Sequence, residues 1–187
     1  RPNTEGMLHS KTACAEYGDE SDVMGNGPPS FSLPHRVFMG WLPVGNLAVP
    51  TSTNCDASGS TTDYLIRPTS KAKSSIAGTV IGVKLADAYS GGTYTLSVRD
   101  AAGFESSLDS KFVGTVSMHY CPRGAASAYN CIAPILIDTA APNKVLQISS
   151  FKVTVGSLRS DGSIAVALSY CIDANPVEDW LGTNLLM

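Results

Sequence analysis

Two stretches decide the fold: "TYTLSVRD", Thr93–Asp100, and "SSFKVTV", Ser149–Val155. In the first, Tyr94, Leu96 and Val98 alternate with polar partners. In the second, Phe151, Val153 and Val155 do the same. Side chains of a strand point to opposite faces in turn, so each stretch reads as a strand with one apolar face. The same chemistry recurs in "DYLIRP" (63–68), "IAGTVIGVKLA" (76–86), "FVGTVSMHYC" (112–121), "IAPILID" (132–138), "KVLQISSFKVTVGSL" (144–158) and "SIAVALSYC" (163–171). Gly and Asp punctuate them in "SGG", "DAAG" and "RSDG". About seven strands at this spacing predict a mainly β protein, an antiparallel β-sandwich with its apolar faces buried between two sheets.

Residues 1–56 differ. They are rich in Gly and Pro, and Pro28, Pro29 and Pro34 break long regular structure. "LPHRVFMGW", Leu33–Trp41, puts Val37, Phe38 and Trp41 at helical spacing and predicts one short turn of helix. Ser10–Ala15 could continue a helix begun upstream, and Pro176–Leu186 could form a short helix or a tail carrying Trp180 to an apolar contact. The division expected is 1–56 as an irregular N-terminal segment and 57–187 as the sandwich domain.

Charged residues make up 16% of the 187-residue chain and the formal net charge is −3, which does not provide the basic face of a nucleic-acid binder. No apolar run reaches membrane-spanning length, so no membrane partner is expected. The weakly charged, Ser/Thr/Gly/Ala-rich composition is of extracellular type. Among five cysteines there is no Cys-x-x-Cys pair, which argues against a zinc ribbon or a thioredoxin-type site. Two structural disulfides plus one odd cysteine is the simplest account. Cys121 and Cys131 bracket the turn-rich "PRGAASAYN", which a disulfide could close, although spacing alone leaves connectivity open.

The chemistry-bearing stretch is "GMLHSKTACAEYGDESDVMGNG", Gly6–Gly27. Gly6 precedes His9 by the spacing found at the end of the zinc signature His-Glu-x-x-His-x-x-Gly-x-x-His. In that signature a helix presents two histidines, a Glu between them is the general base, and the third histidine arrives after the glycine. Met24 in "SDVMG" then falls where a turn could set a methionine beneath the metal. Asp19, Ser21 and Asp22 are expected to shape that turn by accepting backbone amides. No phosphate loop, Gly-x-Ser-x-Gly elbow or helix–loop–helix calcium spacing is present.

Together, "GMLHS", "EYGDESDVMGNG" and "HRVFMGWLP" resemble the second half of the catalytic domain of the gametolysin family, metzincin-type zinc metallopeptidases that degrade algal cell walls. Tyr17–Gly25 and Gly40–Leu42 carry the resemblance most specifically, and the β-rich remainder is similar to the region C-terminal to that domain in the family. The resemblance implies that His9 is the third zinc ligand, Met24 the Met-turn residue, and Tyr17 a neighbour of the active site. It implies zinc as the cofactor of the intact parent, a protein substrate in an extracellular matrix or cell wall, and secretion.

The departure is that the second histidine should stand at Asn3, and the first histidine and the catalytic Glu before Arg1. No catalytic residue is therefore assigned within this chain. The general base is expected upstream of Arg1, and this chain alone is expected to be inactive. His35, in the Pro-rich segment, is expected near the surface, and His119, within a strand, is expected to be structural. The alternative reading is a non-catalytic extracellular binding or matrix module descended from such a peptidase.

Overall fold

In the computed structural model the residues described are 19–24, 30–42, 44–50, 61–71, 77–87, 91–122, 134–148 and 151–170. The Ser10–Ala15 and Pro176–Leu186 helix expectations lie outside them. Among the described residues one α-helix, α1, spans Leu33–Phe38. Nine strands follow: β1 Leu47–Ala48, β2 Thr61–Ile66, β3 Gly82–Ala86, β4 Thr93–Val98, β5 Val116–Cys121, β6 Ile135–Ala140, β7 Val145–Ile148, β8 Phe151–Leu158 and β9 Ile164–Tyr170.

They form two sheets, in the orders β1-β3-β4-β5-β6 and β2-β9-β8-β7. All pairings are antiparallel except β1 with β3. The inner faces meet in one core. Val83, Leu85, Tyr94, Leu96, Val98, Val116, Met118 and Tyr120 come from the first sheet. Ile66, Leu146, Phe151, Val153, Val155, Ile164, Val166 and Leu168 come from the second. Both alternations behave as the sequence predicts. Tyr94, Leu96 and Val98 face inward, and so do Phe151, Val153 and Val155, while Lys152 and Thr154 are exposed.

Two elements go beyond the sequence reading. The stretch 144–158 is two strands, not one: β7 and β8 form a hairpin in which Ile148 faces Phe151. Residues Leu47–Ala48, within the segment read as irregular, add a parallel edge to β3. A run of β-branched residues does not reveal where the chain reverses, and a two-residue strand carries no period.

Helix α1 stops at Phe38, short of the Trp41 that the helical spacing includes. Gly40 adopts φ +71°, its N–H donates to Val37 O at 3.1 Å, and Trp41 N–H reaches Arg36 O at 2.9 Å. This paired closure of a helix C-terminus needs a left-handed residue, for which glycine has no Cβ penalty. Leu33 and Leu42 then join Leu47 and Ile81 in a second apolar cluster on the outer side of β3 and β4.

Gly82 is the tight point of that contact. A Cβ there would meet the Leu33 side chain and lie 2.7 Å from the backbone oxygen of Leu96. Gly82→Ala is therefore predicted to destabilise the fold by about 1–3 kcal/mol through overpacking. The check is a lower urea midpoint at unchanged slope, and an unaltered midpoint would contradict the contact.

Candidate functional site

Helix α1 and the turn before it lie on the outer face of the first sheet. That face carries Thr95, Ser97, Arg99, Ser117 and His119, all buried. A polar strand face usually meets water; here residues 19–24 and 30–42 cover it.

The covering begins with two aspartates. Asp19 accepts from the Ser21 amide at 2.8 Å and from the Ser21 hydroxyl at 2.6 Å through Oδ1. Its Oδ2 lies 3.1 Å from His119 Nε2. Asp22 accepts from the Met24 amide at 2.9 Å through Oδ1, and through Oδ2 from the Ser32 amide at 2.8 Å. The same Oδ2 lies 2.6 Å from His35 Nδ1. Ser32 is the N-cap of α1 but makes no side-chain capping bond. The Asp22 carboxylate, 10 residues earlier in sequence, accepts instead from the amide of the N-cap residue itself. The expected acceptance of backbone amides in the turn is met by Asp19 and Asp22, whose carboxylates also reach the sheet and the helix, while the Ser21 hydroxyl donates to Asp19.

Burial works to raise the pKa of both aspartates. For Asp22, the hydrogen bonds from His35, Ser32 and Met24 outweigh it and hold the carboxyl well below the usual carboxylate range. For Asp19, the hydrogen bond and charge of His119, with the Ser21 bonds, produce a net lowering in the same way.

Next to these pairs sits an ionic triad. Arg99, at 0% exposure, follows β4; Glu105 closes a short 3-10 turn at Gly103–Glu105; Arg36 comes from α1. Glu105 Oε2 accepts from Arg99 Nε at 3.2 Å, and Oε1 accepts from Arg36 Nη2 and, at 3.0 Å, from the Thr69 hydroxyl. Arg99 further donates through Nη1 to the Ser21 carbonyl and through Nη2 to the Ser30 hydroxyl. Arg36 Nε donates to Phe31 O at 2.7 Å. All three ionic members escaped the sequence reading. No periodicity marks Arg36, Arg99 or Glu105 as partners; the only hint is that Arg99 continues the non-core face of β4.

Of the residues singled out from the sequence, His9, Tyr17 and Cys131 lie outside the described residues. Met24 stands in the turn with its amide held by Asp22 and its side chain 58% exposed. Cys121 is buried at the end of β5 and is disulfide-bonded. His35 is not near the surface as expected. It is 8% exposed, because the Asp22 carboxylate draws it inward. His119 is fully buried against Asp19, consistent with a structural role.

Among the described residues no group of three or more His, Cys, Asp or Glu side chains is arranged to hold a metal ion. Each described imidazole already engages a carboxylate, in two separate pairs. The described residues do not fit a zinc centre. Beside the site, Glu20, Lys111, Phe112 and Leu136–Thr139 line an open cleft of about 360 Å³ along β6, the last strand of its sheet among the described residues. Among the described residues no helix is long and apolar enough to cross a membrane.

No curated protein and no solved structure matches this chain. The model of the family described as gametolysin peptidase M11 matches residues 2–140, which takes in the aspartate turn, α1 and the strands through β6. The chain belongs to the gametolysin peptidase family and is a metallopeptidase-like protein.

Proposed function

We propose that this chain is the C-terminal portion of a secreted zinc metalloendopeptidase of the gametolysin type, whose substrate is a protein of an extracellular matrix or cell wall. The observation that carries the reading is the family match. It runs from the His9–Met24 motif region into the sandwich, to residue 140. In this reading residues 1–56 are the remnant of the catalytic domain and 57–187 the sandwich domain. His9 is a zinc ligand, Met24 the Met-turn residue and Tyr17 a neighbour of the site. The general-base Glu lies upstream of Arg1. The disulfide at Cys121 supports an oxidising, extracellular location.

The 187 residues contain no His-Glu-x-x-His and three histidines in all, two of them engaged by aspartates. The chain alone is therefore predicted to show no chelator-sensitive cleavage of casein or a matrix protein. Zinc titration is expected to give weak binding, since one imidazole supplies one of the three protein ligands a catalytic site needs. Cleavage abolished by chelator, or one tightly held equivalent of zinc, would refute this.

The second reading is a non-catalytic extracellular binding or matrix module. The open cleft beside the β6 edge favours it, since an edge strand offers backbone groups to an extended partner. The coding sequence before Arg1 separates the two. A zinc helix there supports the peptidase, and a signal peptide directly preceding Arg1 supports the module.

A further inference from the structure

We infer that Arg99 is the positioning residue of the Met24 turn: the sandwich supplies a fully buried guanidinium that holds Ser21–Met24 against Ser30. The name Met-turn rests on the proposed peptidase function; the mechanical claim does not. Arg99 donates to the Ser21 carbonyl and to the Ser30 hydroxyl, 78 and 69 residues away in sequence, while Nε bonds Glu105. The guanidinium reaches these three partners from three separate nitrogens of one rigid plane, whereas a lysine ammonium offers its three donors from a single nitrogen.

The anchor itself is rigid. Arg99 pairs with Val113 in a parallel bridge, and its carbonyl accepts from Gly114 N–H at 2.9 Å. On the other side of the contact, Val23 N–H donates to Ser30 O at 2.9 Å, and Asp22 fixes the Met24 amide. The position of Met24 is therefore set by backbone that Arg99 grips. The sandwich is part of the machinery of the turn, and a peptidase segment lacking it would present Met24 in an undefined position.

Native-state amide exchange on the 187-residue chain tests this. The Val23 amide reports the turn and the Val166 amide in β9 reports the sandwich core. Arg99→Met is expected to speed Val23 exchange by about tenfold to a hundredfold relative to Val166. Ser30→Ala, which removes one contact and no charge, is expected to act in the same direction by several-fold. Unchanged Val23 exchange in both variants, or acceleration of Val23 only in step with Val166, would overturn the assignment. If Arg99→Met does not fold, Ser30→Ala decides alone. Zinc titration fails or succeeds independently of this result, so an error in the peptidase reading and an error here can be told apart.

Discussion

Replacing Glu105 with alanine is expected to destabilise the chain by about 3–5 kcal/mol, the cost of leaving buried charge without its partner. Glu105 is 1% exposed and stands between two guanidiniums, one of them at 0% exposure. With the carboxylate gone, Arg99 keeps Ser21 and Ser30 but loses its counter-charge, and Arg36 keeps the Phe31 and Thr69 carbonyls. Two positive charges would then face each other in a poorly solvated space. Urea unfolding of wild type and Glu105→Ala measures the difference. Adding Arg36→Met should return part of the loss, because one of the two like charges is then removed, so the pair is expected to be non-additive. A loss under about 1 kcal/mol for the single variant would mean that water already screens the triad.

The other large effect is predicted in acid. The folded-state pKa of Asp22 is held below its ordinary value of 3.8, and that of Asp19 is lowered too. As pH falls, the unfolded chain therefore takes up protons before the folded one. The stabilisation is fully present above the ordinary aspartate value and is lost as pH drops from there toward the folded pKa. Wild-type stability is expected to be flat in these groups near neutrality and to decline steeply below about pH 4. Asp22→Asn should lower stability at pH 7 by about 2–3 kcal/mol and make the decline shallower, since one of the protons responsible is no longer bound. Urea midpoints from pH 7 to pH 2.5 for both proteins provide the check. Curves that stay parallel through the acid range would show that Asp22 is not held by His35, Ser32 and Met24 as described.

The first of these effects lies in a triad that the sequence does not reveal, and the second in a turn that it reveals without the distant partners that hold it. Period-two alternation at Thr93–Val98 and Phe151–Val155 was enough to identify strands and the face that builds the core. It also marked Thr95, Ser97 and Arg99 as the opposite face. Alternation says which way a side chain points but nothing about what covers it, and here residues 19–24 and 30–42 bury that polar face. His35 misled for a related reason. Flanking prolines read as a surface loop, whereas the carboxylate that draws the imidazole inward sits 13 residues earlier. The spacing of "YGDESDVMG" did reveal a turn shaped by aspartates, because Asx bonds are local and span two residues.

From sequence alone came much of what short-range chemistry governs: the strand faces, a short helix beginning at Leu33, the aspartate turn and the motif that ties the chain to its peptidase family. Tertiary structure alone decided which groups neutralise one another. Arg36, Glu105 and Arg99 arrive from a helix, a 3-10 turn and the end of a strand, and their pairing depends on how those elements converge rather than on any repeat along the chain. A charge removed from water must find its partners wherever the fold brings them: Arg99 meets its counter-charge in Glu105, 6 residues on, and grips the Ser21 carbonyl from 78 residues away.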